Sequence, residues 1–284
     1  MRTLRLALLA GCLAAVTGVN PPPAADPVLF EVEPADSGRA SLDPIAFIHG
    51  SALTQVPIGE ADDSTASAFR RDTYDPRRRY RLLSGGAAIG DVAAIGQAPI
   101  GCAGLEGYGR LLTRAPVDTP YALLATGDAR IARDPAVRHA LTPGERNALF
   151  VVAVRILVDS GVPPDLRAHA AKITGAHIDL PQGRALLVGS VEADSDEDGA
   201  DRVVSLLIGL ERVGAAYKPT LFSYANGLDA MGRAERFVDA FTLPGDTTPL
   251  VVSATRYYES RDYTVYRWSA SGWQRWYEGG GGGC

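Results

Sequence analysis

Apolar and polar positions alternate along this chain in short runs, the two-residue period of half-buried strands, through most of its length. Residues 28–33 alternate in this way, and 44–48 form a second apolar run. Residues 55–67 are polar and acidic and are expected to be loop. Residues 80–83 and 87–95 predict a hairpin about Ser84-Gly85-Gly86, since glycine supplies the positive φ a tight turn needs. Leu111-Leu112 and 121–125 add further strands. Residues 28–140 therefore predict a small N-terminal β sheet or barrel.

The pattern changes once. Thr142-Pro143-Gly144-Glu145 opens a helix: Thr142 can cap, Pro143 suits the first turn, and Glu145 completes a capping box. This helix should run to Ser160 and stop at Gly161. Residues 148–158 are apolar on every side except at Arg155, which predicts a core position, and the run is too short to span a bilayer. Its β-branched residues leave a buried strand as the alternative. Pro163-Pro164 breaks the chain, and 165–172 predict a second short helix. Residues 141–172 thus form a helical connector.

Beyond it the period of two returns, and the pattern repeats. Leu180-Pro181 and Leu187-Val188-Gly189-Ser190 are followed 63 residues later by Leu243-Pro244 and Leu250-Val251-Val252-Ser253. A constant offset over matched positions indicates a duplicated supersecondary unit. Strands are expected at 185–192, 203–210 and 218–224 in the first copy. In the second they are expected at 236–242, 250–258, 263–268 and 273–278, with turns at Ser260-Arg261-Asp262 and Ala270-Ser271-Gly272. The fold class is α+β, mainly β, with residues 173–284 forming a duplicated antiparallel meander like the blades of a propeller.

A strand, a turn and an apolar strand ending in a small residue resemble the VCBS and FG-GAP repeats of integrin-type propellers and bacterial surface proteins. The resemblance implies a calcium loop in that turn. Here the turns, 178–183 and 242–247, keep few of the ligand positions. The ending, from Gly272-Trp273 to Cys284, is similar to the tails of uncharacterised bacterial lipoproteins. The resemblance implies no particular activity, and two blades cannot close a propeller.

Length and composition now narrow the function. A chain of 284 residues, 46% of them apolar, can build one large or two small cores. Residues 1–18 read as an export signal: Arg2 and Arg5 precede an apolar run. Leu9-Ala10-Gly11-Cys12 resembles a lipobox, in which Cys12 would be acylated and begin the mature chain; an ordinary secretory cleavage near Val16-Thr17-Gly18 is the alternative. Residues 19–27, rich in proline, read as an extended tether. The net charge of −5 becomes −7 without Arg2 and Arg5, which disfavours nucleic acid as a partner. The only membrane contact expected is through the lipid. The partner is expected to be an envelope protein or a glycan. In an oxidising compartment Cys102 and Cys284 could pair, or stay as free thiols.

Candidate chemistry is sparse. Asp194-Ser195-Asp196-Glu197-Asp198-Gly199 offers alternate carboxylates, with Asp201 nearby, and calcium is the one cofactor it suggests. Its ninth and twelfth places are Arg202 and Ser205, so a solvated acidic turn is the competing reading. Trp273, Trp276 and Tyr277 are candidate binding aromatics; alternation puts Trp273 and Tyr277 on one face and Trp276 on the other, and packing is the plainer role. The arginines at 70, 71, 77, 78, 79 and 81 form a basic run, either an anion-binding patch or a solvated flank. His177 and Asp179 would share a face if their segment is a strand, but the four histidines lack metal spacing. No nucleophile elbow, phosphate loop or zinc signature occurs. The first expectation is a non-catalytic envelope protein that binds a partner or ligand through its β surface. The rivals are a calcium-stabilised module and an envelope-polymer hydrolase using a pair among Asp239, Glu259 and Asp262.

Overall fold

The computed structural model describes residues 27–57, 64–99, 105–113, 122–128, 130–131, 136–195, 202–228, 233–257 and 259–283. Its first part is a closed ring. Strands β1 (Val28–Pro34), β2 (Arg39–His49), β3 (Ala52–Thr54), β4 (Arg79–Ser84), β5 (Ala87–Gln97), β6 (Gly107–Thr113) and β7 (Leu123–Thr126) pair in the order β1-β7-β4-β5-β6-β2-β3. An additional β1–β2 pairing joins the ends, so six strands form a barrel and β3 extends from β2. Closure leaves those six strands without an open edge. The interior is filled by Phe30, Leu42, Tyr74, Tyr80, Leu82 and Val92. Phe30 and Tyr80 meet edge to face at 4.7 Å. The Tyr74 and Tyr80 hydroxyls donate to the carbonyls of Leu105 and Thr73.

Part of the expected loop at 55–67 is instead helix α1 (Ser64–Thr73). Its buried positions, Ala66, Phe69, Arg70 and Thr73, follow helical spacing and pack on the barrel core. The same helix breaks up the basic run. Arg70 is buried and donates to the Ala98 carbonyl, while Arg71, Arg77 and Arg81 pair with Asp72, Asp75 and Asp91.

The predicted capping box is present. Helix α2 (Pro143–Asp159) has Thr142 and Glu145 bonded reciprocally, and Gly161 turns away at φ +70°. Helix α3 (Pro164–Arg167) and a 3₁₀ turn at Ala168–Lys172 follow. The expectation of an all-round core helix fails. Only Leu149, Ala153 and Leu157 are buried, whereas Phe150, Val151 and Val158 are exposed, because α2 covers one outer face of a sheet and nothing described covers α2.

That sheet has five strands: β8 (Arg138–Ala140), β9 (Thr174–Leu180), β10 (Arg184–Ser195), β11 (Arg202–Val213) and β12 (Ala216–Leu228), in the order β12-β11-β10-β9-β8. A second sheet holds β13 (Ala234–Phe241), β14 (Leu250–Arg256), β15 (Ser260–Ser269) and β16 (Gly272–Gly283), in sequence order. Both are antiparallel meanders, so β9–β12 and β13–β16 run in the same spatial order. The matched serines make different bonds: Ser190 Oγ accepts from the Phe237 N–H across the two sheets, and Ser253 Oγ donates to Glu235 within the four-stranded sheet.

Four layers result. Leu29, Ile45, Ile48 and Leu83 on the barrel's outer wall meet Val238, Phe241, Val252 and Val265 of the four-stranded sheet. Its other face, through Phe237, Ala240, Val251 and Tyr266, packs on Ile178, Leu186, Val188 and Leu207 of the five-stranded sheet. The far face of that sheet, through Leu187, Val191, Leu206 and Ile208, packs on α2 and α3. The helices expected as a connector between the β parts therefore form an outer layer.

Two details of β15–β16 differ from expectation. The turn expected at 260–262 lies earlier: Arg261 and Asp262 are already in β15, paired with Arg256 and Thr255. The pairing Val265↔Tyr277 is followed by Tyr266↔Arg275, so Trp276 is a bulged extra residue. The bulge resets the alternation. Trp273 packs toward the five-stranded sheet, while Trp276 and Tyr277 both pack toward the barrel.

The glycine run at 279–283 continues β16 and pairs with the start of β15. Gly280 and Gly281 have φ +71° and +69°, and a Cβ there would lie 2.4 Å from the Ile45 carbonyl oxygen and 2.1 Å from that of Arg261. Glycine is therefore required by close approach as well as by backbone angle. Gly281→Ala is expected to cost at least about 2 kcal/mol in urea unfolding, since αL strain alone is about 1–2 kcal/mol. Gly214→Ala, at φ +65° with nothing within 4 Å of the added carbon, should lose only the strain. Equal losses for the two variants would contradict the close-approach account.

Candidate functional site

The described residues contain four concentrations of polar groups, and burial separates their roles. Three are sealed between layers. At the barrel wall, the Tyr263 hydroxyl lies 2.7 Å from Glu31 Oε2 and 2.6 Å from Asp43 Oδ2. A hydroxyl has one proton, so one of these contacts needs a proton on the carboxyl side. Burial pushes Asp43 up to about 7, against the lowering effect of the Tyr263 bond, so Asp43 keeps its proton through mildly acidic pH and begins to lose it near neutrality. Arg236 pairs with Glu31 and Glu33, each at 2.7 Å, and Arg261 reaches Glu31 at 3.3 Å. Burial also raises Glu106.

Between the sheets, Glu235 accepts from Ser223, Ser253 and Tyr266. Burial alone would raise it, but these donors and Arg233 hold it below the usual range. Asp239 is fully buried, accepts from the Gly85 and Ala240 N–H groups, and pairs with Arg138 at 2.6 Å. Burial raises it, opposed chiefly by Arg138. These groups fasten barrel, sheets and β8 together. Asp239 is thereby removed from any cleft, and Asp262, half-buried and bonded by Tyr257, sits at the β14–β15 end. Asp239, sealed in this way, cannot form an open pair with the other carboxylates considered for a hydrolase.

The fourth group opens to solvent. At one end of the five-stranded sheet, the β9–β10 and β11–β12 connections lie beside the start of α2 and enclose a cleft of about 380 Å³. Glu145, His177, Arg184, Glu211, Arg212 and Tyr217 contribute to its lining. The capping box fixes Glu145: its Oε2 accepts from Thr142 N and Oγ1, each at 2.8 Å. Its Oε1 meets His177 Nδ1 at 2.7 Å. A carboxylate only accepts, so Nδ1 carries the hydrogen. Burial would raise Glu145, but the Thr142 N–H and His177 outweigh it and hold the carboxyl below its ordinary range.

β9 is a strand, so His177 and Asp179 do share a face, and His177 Nε2 lies 3.3 Å from Asp179 Oδ1. His139 is the register partner of His177 on β8, and its Nε2 lies 2.8 Å from Asp179 Oδ2. On the opposite wall Glu211 accepts from Arg184, from Thr220 at 3.1 Å and from Trp273 Nε1 at 3.1 Å. Arg184 stacks over Trp268 at 4.4 Å, and Trp268 meets Trp273 edge to face at 5.8 Å. Arg212 donates Nε–H to the Gly214 carbonyl at 3.2 Å and remains exposed.

Of the sequence candidates, Trp273 thus stands behind the cleft wall. Trp276 lies under Arg267 at 4.8 Å, and the Tyr277 hydroxyl donates to the Ile45 carbonyl at 2.7 Å, both on the barrel side. Cys12, Cys102 and Cys284 lie outside the described residues, as do Asp196, Asp198 and Asp201. The backbone of Asp194 is in β10, paired with Val203. The cleft residues Glu145, Arg184, Glu211, Arg212 and Tyr217 were not among the sequence candidates. The His-x-Asp spacing at 177–179 was the one readable sign of the site. Comparison with known proteins adds nothing: no family model, curated protein or solved structure matches the chain.

Proposed function

We propose that this protein is a non-catalytic binding protein of the cell envelope whose ligand is a small acidic molecule, such as a uronic-acid sugar, held in the cleft at the end of the five-stranded sheet. The observation that carries this reading is the cleft lining. Arg184 and Arg212 face a partly enclosed space beside Tyr217, and among the described residues Arg212 is held by the Gly214 carbonyl through Nε–H, which leaves its guanidinium edge for a carboxylate. Aromatic rings behind the wall keep Arg184 in place, so little side-chain freedom is lost on binding. The location rests on the leader-like pattern at residues 1–18, and the intact mass of the mature protein reads the cleavage site and any acyl chain at Cys12.

Titration calorimetry with galacturonate oligomers and with their neutral galactose counterparts tests the ligand class. The acidic oligomers should bind and the neutral ones should not. Arg212→Gln should weaken binding about tenfold or more, the loss of a charge-assisted hydrogen bond of about 1.5–3 kcal/mol. Equal binding of neutral and acidic sugars, or none of either, would remove the proposal. The Glu145–His177 pair favours a second reading, in which His177 Nε2 acts as a general base on a bound substrate. Release of shortened oligomers during the same incubation, lost in His177→Gln, would establish it instead.

A further inference from the structure

We propose that a second hollow, on the outer helical layer beside the start of α2, binds an amphipathic carboxylate: one acyl chain lies in the hollow and its head group sits on Arg146. The hollow has a volume of about 500 Å³, larger than the cleft and within the range of small-molecule sites. Pro143, Arg146, Asn147 and Phe150 line it from α2, at the spacings of three and four that share one helix face. Ala171 and Ile173 line it from the chain that enters β9, and Leu141 from the residues just before the helix.

The sheet beneath makes room for it. Gly175 and Gly189 are register partners on β9 and β10, so two neighbouring positions under this corner of α2 carry no side chain. Leu141 and Ile173 settle into that space. A Cβ on Gly175 would lie 3.2 Å from Leu141 Cδ1, and one on Gly189 would lie 3.0 Å from Ile173 Cδ1. Both side chains are buried as a result, and the surface beside the first turns of α2 stays concave and apolar. The exposure of Phe150, which no packing within the described chain explains, becomes contact with the bound hydrocarbon.

The polar groups at the mouth specify the head. The Arg146 side chain has no ion pair or hydrogen bond among the described residues. Thr142, Pro143, Leu149 and Phe150, three and four residues from it, supply no acid. Glu145 beside it is already committed to Thr142 and His177. An unpaired guanidinium fork at the rim of an apolar hollow is complementary to a carboxylate, and the exposed Asn147 amide offers a further donor. Leu141, Phe150 and Ile173 give hydroxyl groups no partner, so the lining selects a hydrocarbon chain over a sugar. The inference stands independently of the acidic ligand assigned to the cleft.

Titration calorimetry of the full chain with hexanoate, octanoate and decanoate, each below its micelle-forming concentration, tests the chain. Affinity should rise by up to about fifteenfold for each added pair of methylenes. Comparison of octanoate with 1-octanol tests the head: the carboxylate should bind about tenfold or more tighter. Arg146→Gln, at an exposed helical position, should reduce octanoate to the level of octanol and leave octanol unchanged. Phe150→Ala should weaken both. Arg212→Gln, in the cleft, should change neither. No binding of decanoate at millimolar concentration, or equal affinity for octanoate and octanol, would overturn the proposal. So would octanoate binding that survives Arg146→Gln, or that is lost in Arg212→Gln and so belongs to the cleft. Binding to phosphatidylglycerol vesicles with none to dispersed decanoate would also overturn it, and would make this face of α2 a membrane contact instead.

Discussion

Replacing Arg138 by methionine is expected to destabilise the protein by about 3–5 kcal/mol, the cost of leaving a buried carboxylate without its counter-charge. Asp239 is fully buried and the Arg138 side chain is 7% exposed, so water cannot replace the lost partner. Two backbone N–H groups, from Gly85 and Ala240, would still bond Asp239, but neither carries a charge. Arg138 also donates to Ser84 Oγ at 2.6 Å, which ties β8 to the end of β4. The double variant Arg138→Met/Asp239→Asn should recover part of the loss, because it strands no charge, while its one amide oxygen can accept from only one of the two N–H groups, which bond different oxygens of Asp239. Guanidinium unfolding of the two variants measures this. A double variant as unstable as the single one would show that lost packing, rather than the stranded charge, dominates.

Stability should fall as pH rises from about 4 to about 7. Asp43 ionises near its ordinary value of 3.8 in the unfolded chain and near 7 in the folded one. Between those limits the folded state holds a proton that the unfolded state has released, and each added pH unit favours unfolding. The full span of about 3 units corresponds to about 4 kcal/mol as an upper limit. Burial is the main cause, and Glu31, Glu33 and Glu106 add negative charge around Arg236, Arg261 and Tyr263. Asp43→Asn should flatten this part of the pH profile and be more stable than wild type at pH 8. Urea midpoints across pH 4–8 for both proteins provide the measurement. Stability that rises over the same interval in the wild type would contradict protonation of Asp43 in the folded state.

Local rules made much of the architecture readable. Thr142 and Glu145 announce α2 because a capping box is a four-residue interaction, and the hairpin at Gly85-Gly86 is announced by the φ its turn demands. The duplicated Leu187 and Leu250 strands are legible because both face the same kind of apolar layer. What escaped depends on distant partners. The exposed side of α2 cannot be told from its buried side when Phe150, Val151 and Val158 on the one are as apolar as Leu149, Ala153 and Leu157 on the other. The bulge at Trp276 depends on register with β15, and the glycine run becomes a strand only because β2 and β15 lie against it. The cleft was nearly invisible for the same reason. Glu145 is 32 residues from His177, and His139 is 40 from Asp179, so only strand pairing makes them a site.

The four-stranded sheet is sandwiched between two neighbours that are both synthesised before it. Until residues 234–283 arrive, the outer barrel wall at Ile45 and the inner surface at Val188 each display an oily patch with nothing to cover it. Exposed apolar surface of this kind on an incomplete chain invites non-native contact between the two halves. Folding that waits for the whole chain avoids that trap.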